Sequence, residues 1–121
     1  MPLTRDFKET IMADLRRDRA YRVAYLAEAI ESLHGGEFAV GKRMLRNYIN
    51  GTLGFAELSK ATGTPPKSLM RMLSEHSNPH ADKLFAILGH LQATERVRVK
   101  VLPISPARSR SRTARASASL R

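Results

Sequence analysis

The side chains that could do chemistry here lie between residues 58 and 74, where Lys60, Lys67 and Arg71 occur without an intervening acid. Lys or Arg can donate to guanine O6 and N7, and a methionine such as Met70 can pack on a thymine methyl. Catalytic chemistry is not suggested by the rest of the chain. Four histidines, eleven acids and several hydroxyls are present, yet no nucleophile, base and orienting group fall into a recognisable arrangement. His76 and His80 are four residues apart, but Pro79 between them breaks a shared helix, so no metal pair is expected. Gly35-Gly36 has no Lys-Ser or Lys-Thr after it and is not a phosphate loop. The expectation is therefore a protein that is not an enzyme and needs no cofactor or metal.

The elements that must position these cations can be read locally. Residues 55–62 read as a short helix with Leu58 and Ala61 inward, Gly63 supplies a sharp turn, and Thr64 caps a second helix with Pro65 in its first position. Leu69 and Met72 anchor that second helix, and the small Ser59 lets the first lie close to it. Two short helices joined by a glycine-containing turn are the pattern of the helix-turn-helix, although a plain helical hairpin has the same apolar spacing. With Leu69, Met72 and Leu73 inward, Pro66, Lys67, Met70 and Arg71 point away, and Thr64 and Ser68 at the helix start complete the expected DNA-contacting set.

Around this core three longer helices are expected. Phe7, Ile11 and Leu15 form a stripe on a helix that Thr4 can cap. Asp18 caps a second, carrying Tyr21, Tyr25, Leu26, Ala29, Ile30 and Leu33 until Gly35-Gly36 stops it, with His34 a satisfied surface histidine in its last turn. A third, from Glu37 to Asn50-Gly51, has Phe38, Met44, Leu45, Tyr48 and Ile49 as its apolar face and Lys42, Arg43 and Arg46 as a solvated basic face. After a loop at residues 74–77, Asn78-Pro79 starts a last helix carrying Leu84, Phe85, Ile87, Leu88 and Leu91. Residues 96–101 then alternate basic and apolar with period two, reading as a half-buried strand in which Val97, Val99 and Val101 need an edge from a partner.

The chain has 121 residues, no cysteine and a net charge of +10, which bounds it to one small basic domain without disulfides or thiolate metal sites. No apolar run is long enough to span a membrane and the start lacks the apolar stretch of a signal peptide, so a cytoplasmic protein is expected. Half of the excess charge, five arginines and no acid, sits in residues 103–121. That tail has too few apolar side chains to offset its ordering entropy and is expected to be disordered. A non-specific phosphate contact and an unselected extension are both open for it.

Leu58-Ser59 to Gly63, Lys67-Ser68-Leu69, Arg71-Met72-Leu73, Asn78-Pro79 and Leu84-Phe85 resemble the lambda-repressor-like (Xre-type) helix-turn-helix of the addiction-module antidote, or antitoxin, family of bacterial transcriptional regulators. Residues 4–8 and 46–50 extend the likeness to about residues 4–102. Two features depart from the family pattern: Pro65-Pro66 stands where relatives usually carry Ser and a polar residue, and the arginine tail is additional. The resemblance implies an antitoxin that pairs with a small RelE-like toxin, binds operator DNA as a homodimer and represses the shared promoter, with no membrane partner.

The expected fold class is thus all-α: a small helical bundle containing the helix-turn-helix, with a short C-terminal β-strand and a disordered basic tail. Its parts are N-terminal helices in residues 1–51, the DNA-binding region in 52–93, the partner-pairing strand in 94–102 and the tail in 103–121. A stand-alone regulator of the same fold is the near alternative. A basic RNA-binding module would be expected to expose aromatics for stacking, whereas Phe7, Phe38 and Phe85 read as core. A pure protein-interaction module would pair Lys67 and Arg71 with acids.

Overall fold

A computed structural model describes residues 5–105 and is all-helical. The helices are α1 (Arg5–Arg17), α2 (Arg19–His34), α3 (Phe38–Gly51), α4 (Gly54–Thr62), α5 (Pro66–Met72) and α6 (Ala81–Glu95). Thr4 and the tail from residue 106 lie outside the described residues, and with them the expected cap of the first helix and the expected disorder.

The first three helices pack on one another, and α4 bridges from α3 to α5 and α6. Their boundaries follow from local chemistry. Asp18 Oδ1 accepts the Tyr21 N–H at 3.2 Å, satisfying one orphan donor at the start of α2. At the other end the Gly35 N–H donates to the Glu31 carbonyl and the Glu37 N–H to the Ser32 carbonyl, closing the helix across the glycine pair. Gly51 marks a close approach: a Cβ there would stand 2.7 Å from Leu15 Cδ1, so glycine lets α3 lie against α1.

A single core joins all six helices, built from Leu15, Leu26, Leu45, Ile49, Leu58, Leu69, Ile87 and Leu91, with Leu73 just past α5. The apolar stripes expected for α2 and α3 are largely its walls. Three aromatics depart from expectation. Phe7, Phe38 and Phe85 are each more than half exposed, and each sits in the first two turns of its helix. Ala61 is likewise exposed, on the outer side of α4.

Lys42 and Arg46 correct the expected solvated face in the other direction. Lys42 is only 4% exposed, and its Nζ donates to the Glu75 carbonyl (3.2 Å), the Ser77 carbonyl (2.7 Å) and Ser77 Oγ (3.2 Å). Arg46 Nη1 donates to the Leu73 carbonyl. These two side chains of α3 satisfy backbone acceptors that the short α5 and its following loop cannot satisfy themselves. Arg43 alone of the three stays exposed.

The opposite end is tied by Glu95. This residue is 8% exposed; its carboxylate accepts from Arg22 Nε (2.9 Å) and the Tyr48 hydroxyl (2.8 Å) and forms an ion pair with Arg19 Nε at 3.3 Å, while Arg19 Nη2 donates to its backbone carbonyl at 2.8 Å. Burial works against its charge, but the hydrogen bonds from Arg22 and Tyr48 and the charges of Arg22 and Arg19 outweigh it and hold the carboxyl below the ordinary glutamate range. The same burial, with the carboxylate as acceptor, pushes the Tyr48 hydroxyl far up.

Arg96, in the left-handed region at φ 62°, ends α6. Among the described residues there is no strand, so residues 96–101 have no ladder within the chain. Val97 instead packs partly buried against the core, while Val99 and Val101 are exposed.

Candidate nucleic-acid interface

The candidate interface comprises α4, its turn and α5. In α4, Phe55 and Leu58 are buried and Ser59 is half-buried. Gly63 adopts φ 78°, ψ 6°, a left-handed conformation strained for any residue with a Cβ, and its N–H donates to the Ser59 carbonyl at 2.8 Å. That geometry turns the chain sharply into α5.

Thr64 does not cap α5, contrary to expectation. The hydroxyl of Thr62 accepts the Thr64 N–H at 3.3 Å, and the capping position passes to Pro65 at φ −58°, ψ 148°, with Pro66 as first helical residue. A residue preceding a proline is driven out of the helical region, so Pro66 keeps Pro65 extended and delays the helix by one position. At α6 the start is also later than expected, by two positions, with His80 rather than Asn78 at the capping position.

Leu69 is 1% exposed and Leu73 fully buried, with Met72 packed beside them, so one side of α5 is anchored. The opposite side carries Lys67, Met70 and Arg71, all exposed and spaced three and four residues apart on one face. Pro66 and Ser68 are half-buried beside them, as is Thr64 in the turn. Neither Lys67 nor Arg71 forms an ion pair with a carboxylate among the described residues; the nearest such pair on α4, Lys60 with Glu57, is at 3.4 Å. Their donors are therefore directed to solvent.

Beside α5 runs an open groove of about 710 Å³ whose walls include Thr64, Ser68, Arg71, His76, His80 and Lys83. Sequence reasoning places no role on His76, His80 or Lys83, because they lie beyond the second helix; only the return of the chain into α6 brings them beside Arg71. Polar hydroxyls, two cations and two imidazoles along one groove are suited to anionic phosphate oxygens. At about 1.5 Å per residue the seven residues of α5 make a rod about 10 Å long. The B-DNA major groove, about 12 Å wide, admits such a helix.

The structure thus puts Lys67, Met70 and Arg71 on one exposed face of α5, with Thr64, Pro66 and Ser68 half-buried beside it; Leu58, Leu69 and Met72 pack as expected, while Gly63 is the exposed turn residue between the helices. It does not gather Val97, Val99 and Val101 into one row. Lys42 and Arg46, which hold the loop behind α5, are the positioning residues missed; their spacing with Leu45 and Ile49 on α3 is the only signal that bore on them. No helix among the described residues is long and apolar enough to cross a membrane. In comparison with known proteins, no family model, curated protein or solved structure matches the chain.

Proposed function

We propose that this chain is a sequence-specific DNA-binding protein acting as the cytoplasmic antitoxin of a toxin–antitoxin pair, with α4, Gly63 and α5 as its helix-turn-helix. A homodimer reads operator DNA in two half-sites, and a small RelE-like toxin is its second partner. The observation that carries the DNA-binding part is the exposed face of α5, where Lys67, Met70 and Arg71 stand without carboxylate partners on a helix anchored by Leu69 and Leu73. A pure protein-interaction module would have those cations paired. The antitoxin part rests on the resemblance carried by residues 4–102.

Footprinting on the DNA upstream of the chain's own reading frame tests this. The expected result is a protected, two-fold symmetric site, with Arg71→Ala weakening it by about 1–3 kcal/mol while binding to random DNA changes little. Equal loss on both DNAs would reassign Arg71 to phosphate contact, and no protected site would refute the operator reading. A neighbouring reading frame encoding a small basic chain supports the toxin partner.

A second reading, a basic RNA-binding module, is favoured by the exposure of Phe38 and Phe85. Those rings border an apolar groove on the far side of residues 77–79 from Arg71 and Lys83, away from the cationic face. Competition of single-stranded RNA for the operator complex decides between the two.

A further inference from the structure

Two neighbouring surfaces of the bundle are apolar and uncovered. The first is a groove of about 310 Å³ between the end of α2, the start of α3 and the start of α6, with Ile30, Leu33, Leu84 and Leu88 at its floor and Phe38 and Phe85 at its rim. Phe38 is 58% and Phe85 59% exposed. The second is the segment following Lys100, where Val101, Leu102 and Ile104 are 95%, 71% and 90% exposed. Large apolar side chains this close together on a small basic protein mark an interaction site.

The path of the chain relates them. Glu95 and Arg96 lie at the N-terminal end of α2, where Arg19 and Arg22 hold Glu95. Residues 97–100 then line a trough along α2 with Val23, Leu26, Ala27, Ile30 and His34. From Val23 to His34 is about 16 Å of helix, and four residues of extended chain cover about 13 Å. The segment therefore runs up α2 and arrives beside Ile30 and His34, the two residues that trough and groove share. Its next apolar side chains point into solvent there and leave their own groove uncovered. The groove lining includes no carboxylate, its buried Lys42 is already held by the Glu75 and Ser77 carbonyls, and residues 101–104 are uncharged, so their contact would strand no unpaired charge.

We propose that residues 101–104 of one copy dock into the Phe38–Phe85 groove of a second copy, and reciprocally, closing a two-fold dimer. The exchange is isologous: each copy offers one arm and one groove, so the assembly closes at two chains. It supplies the dimer that half-site reading needs and to that extent rests on the proposed function. The partner surface expected for Val101 is then a helical groove rather than a strand edge, while Val97 and Val99 stay on the trough of their own chain.

Sedimentation of the full chain, without DNA, tests the proposal. The wild-type chain is expected to be a dimer, and either Phe85→Glu or the pair Leu102→Asp and Ile104→Asp raises the dimer dissociation constant at least about tenfold. Both sites are exposed, so circular dichroism stays unchanged. Mixing the groove variant with the arm variant restores part of the dimer, because one intact arm meets one intact groove. The chain has no cysteine, so Phe85→Cys chains mixed with Leu102→Cys chains are also expected to form a disulfide-linked pair on oxidation. A monomeric wild-type chain, or a dimer indifferent to both changes, overturns the proposal and leaves the groove to the chain's own arm or to another protein. A dimer that protects no operator refutes the DNA reading alone; a monomer that protects one refutes the arm exchange alone.

Discussion

Replacing Glu95 by Gln keeps the shape of the side chain and removes its charge, and the cost can be worked contact by contact. The Tyr48 hydroxyl at 2.8 Å keeps an acceptor, but a bond to a charged group, about 1.5–3 kcal/mol, becomes a neutral one of about 1. Arg22, at 2.9 Å and about one-fifth exposed, loses its ion pair but keeps the Leu15 carbonyl as acceptor, a loss of about 1–2 kcal/mol. Arg19 is 59% exposed, so solvent screening leaves its pair a few tenths of a kcal/mol at most. The total is about 2–4 kcal/mol, or roughly 10–30 °C in Tm for a domain of this size. Thermal melts followed by circular dichroism at pH 7 read it directly. The pH dependence carries a sign. Because the folded carboxyl titrates below the ordinary value, its stabilisation is present above about pH 4.3, where the unfolded glutamate is ionised, and is lost as pH falls through the folded value. The gap between wild type and Glu95→Gln should therefore close toward pH 2. A variant as stable as wild type at pH 7, or a gap as wide at pH 2 as at pH 7, would refute this account of the α6 terminus.

Leu69→Ala empties a buried position under α5 and is expected to lower stability by about 2–5 kcal/mol in denaturant titration; an unaltered midpoint would mean the register of α5 is wrong. In Gly51→Ala the new methyl meets Leu15 Cδ1 at 2.7 Å and Met12 Sδ at 3.2 Å, so a loss of about 1–3 kcal/mol is expected despite alanine's better helix propensity, and a stabilised variant would contradict the close approach of α1. Lys42→Met leaves the Glu75 and Ser77 carbonyls without their donor, at a cost of about 1–3 kcal/mol, and amide exchange should quicken around residues 74–78 while α1 stays protected.

What could be read without tertiary structure is what depends on a few adjacent residues. Asp18 as a cap, the glycine pair after α2, Gly63 as the left-handed turn and the apolar spacing of α5 are all satisfied within one helical turn, so the local sequence determines them. The inward places of Leu58 and Leu69 follow from those elements. At the start of α5 the joint signal of Thr64 as cap and Pro65 as first helical residue gave way to the restriction that Pro66 imposes on its predecessor. Which face of a helix meets another depends on neighbours far along the chain, and there the local pattern misleads. Phe38 and Phe85 have core-forming side chains but stay more than half exposed. Lys42 and Arg46 are charged, as a solvated face would be, yet the return of residues 73–77 over α3 offers them backbone acceptors and buries the lysine. Glu95 meets Arg22 only because α6 ends against the start of α2, more than 70 residues earlier in the chain. Spacing along the sequence reports the period of a helix; only packing decides which buried polar atoms find their partners.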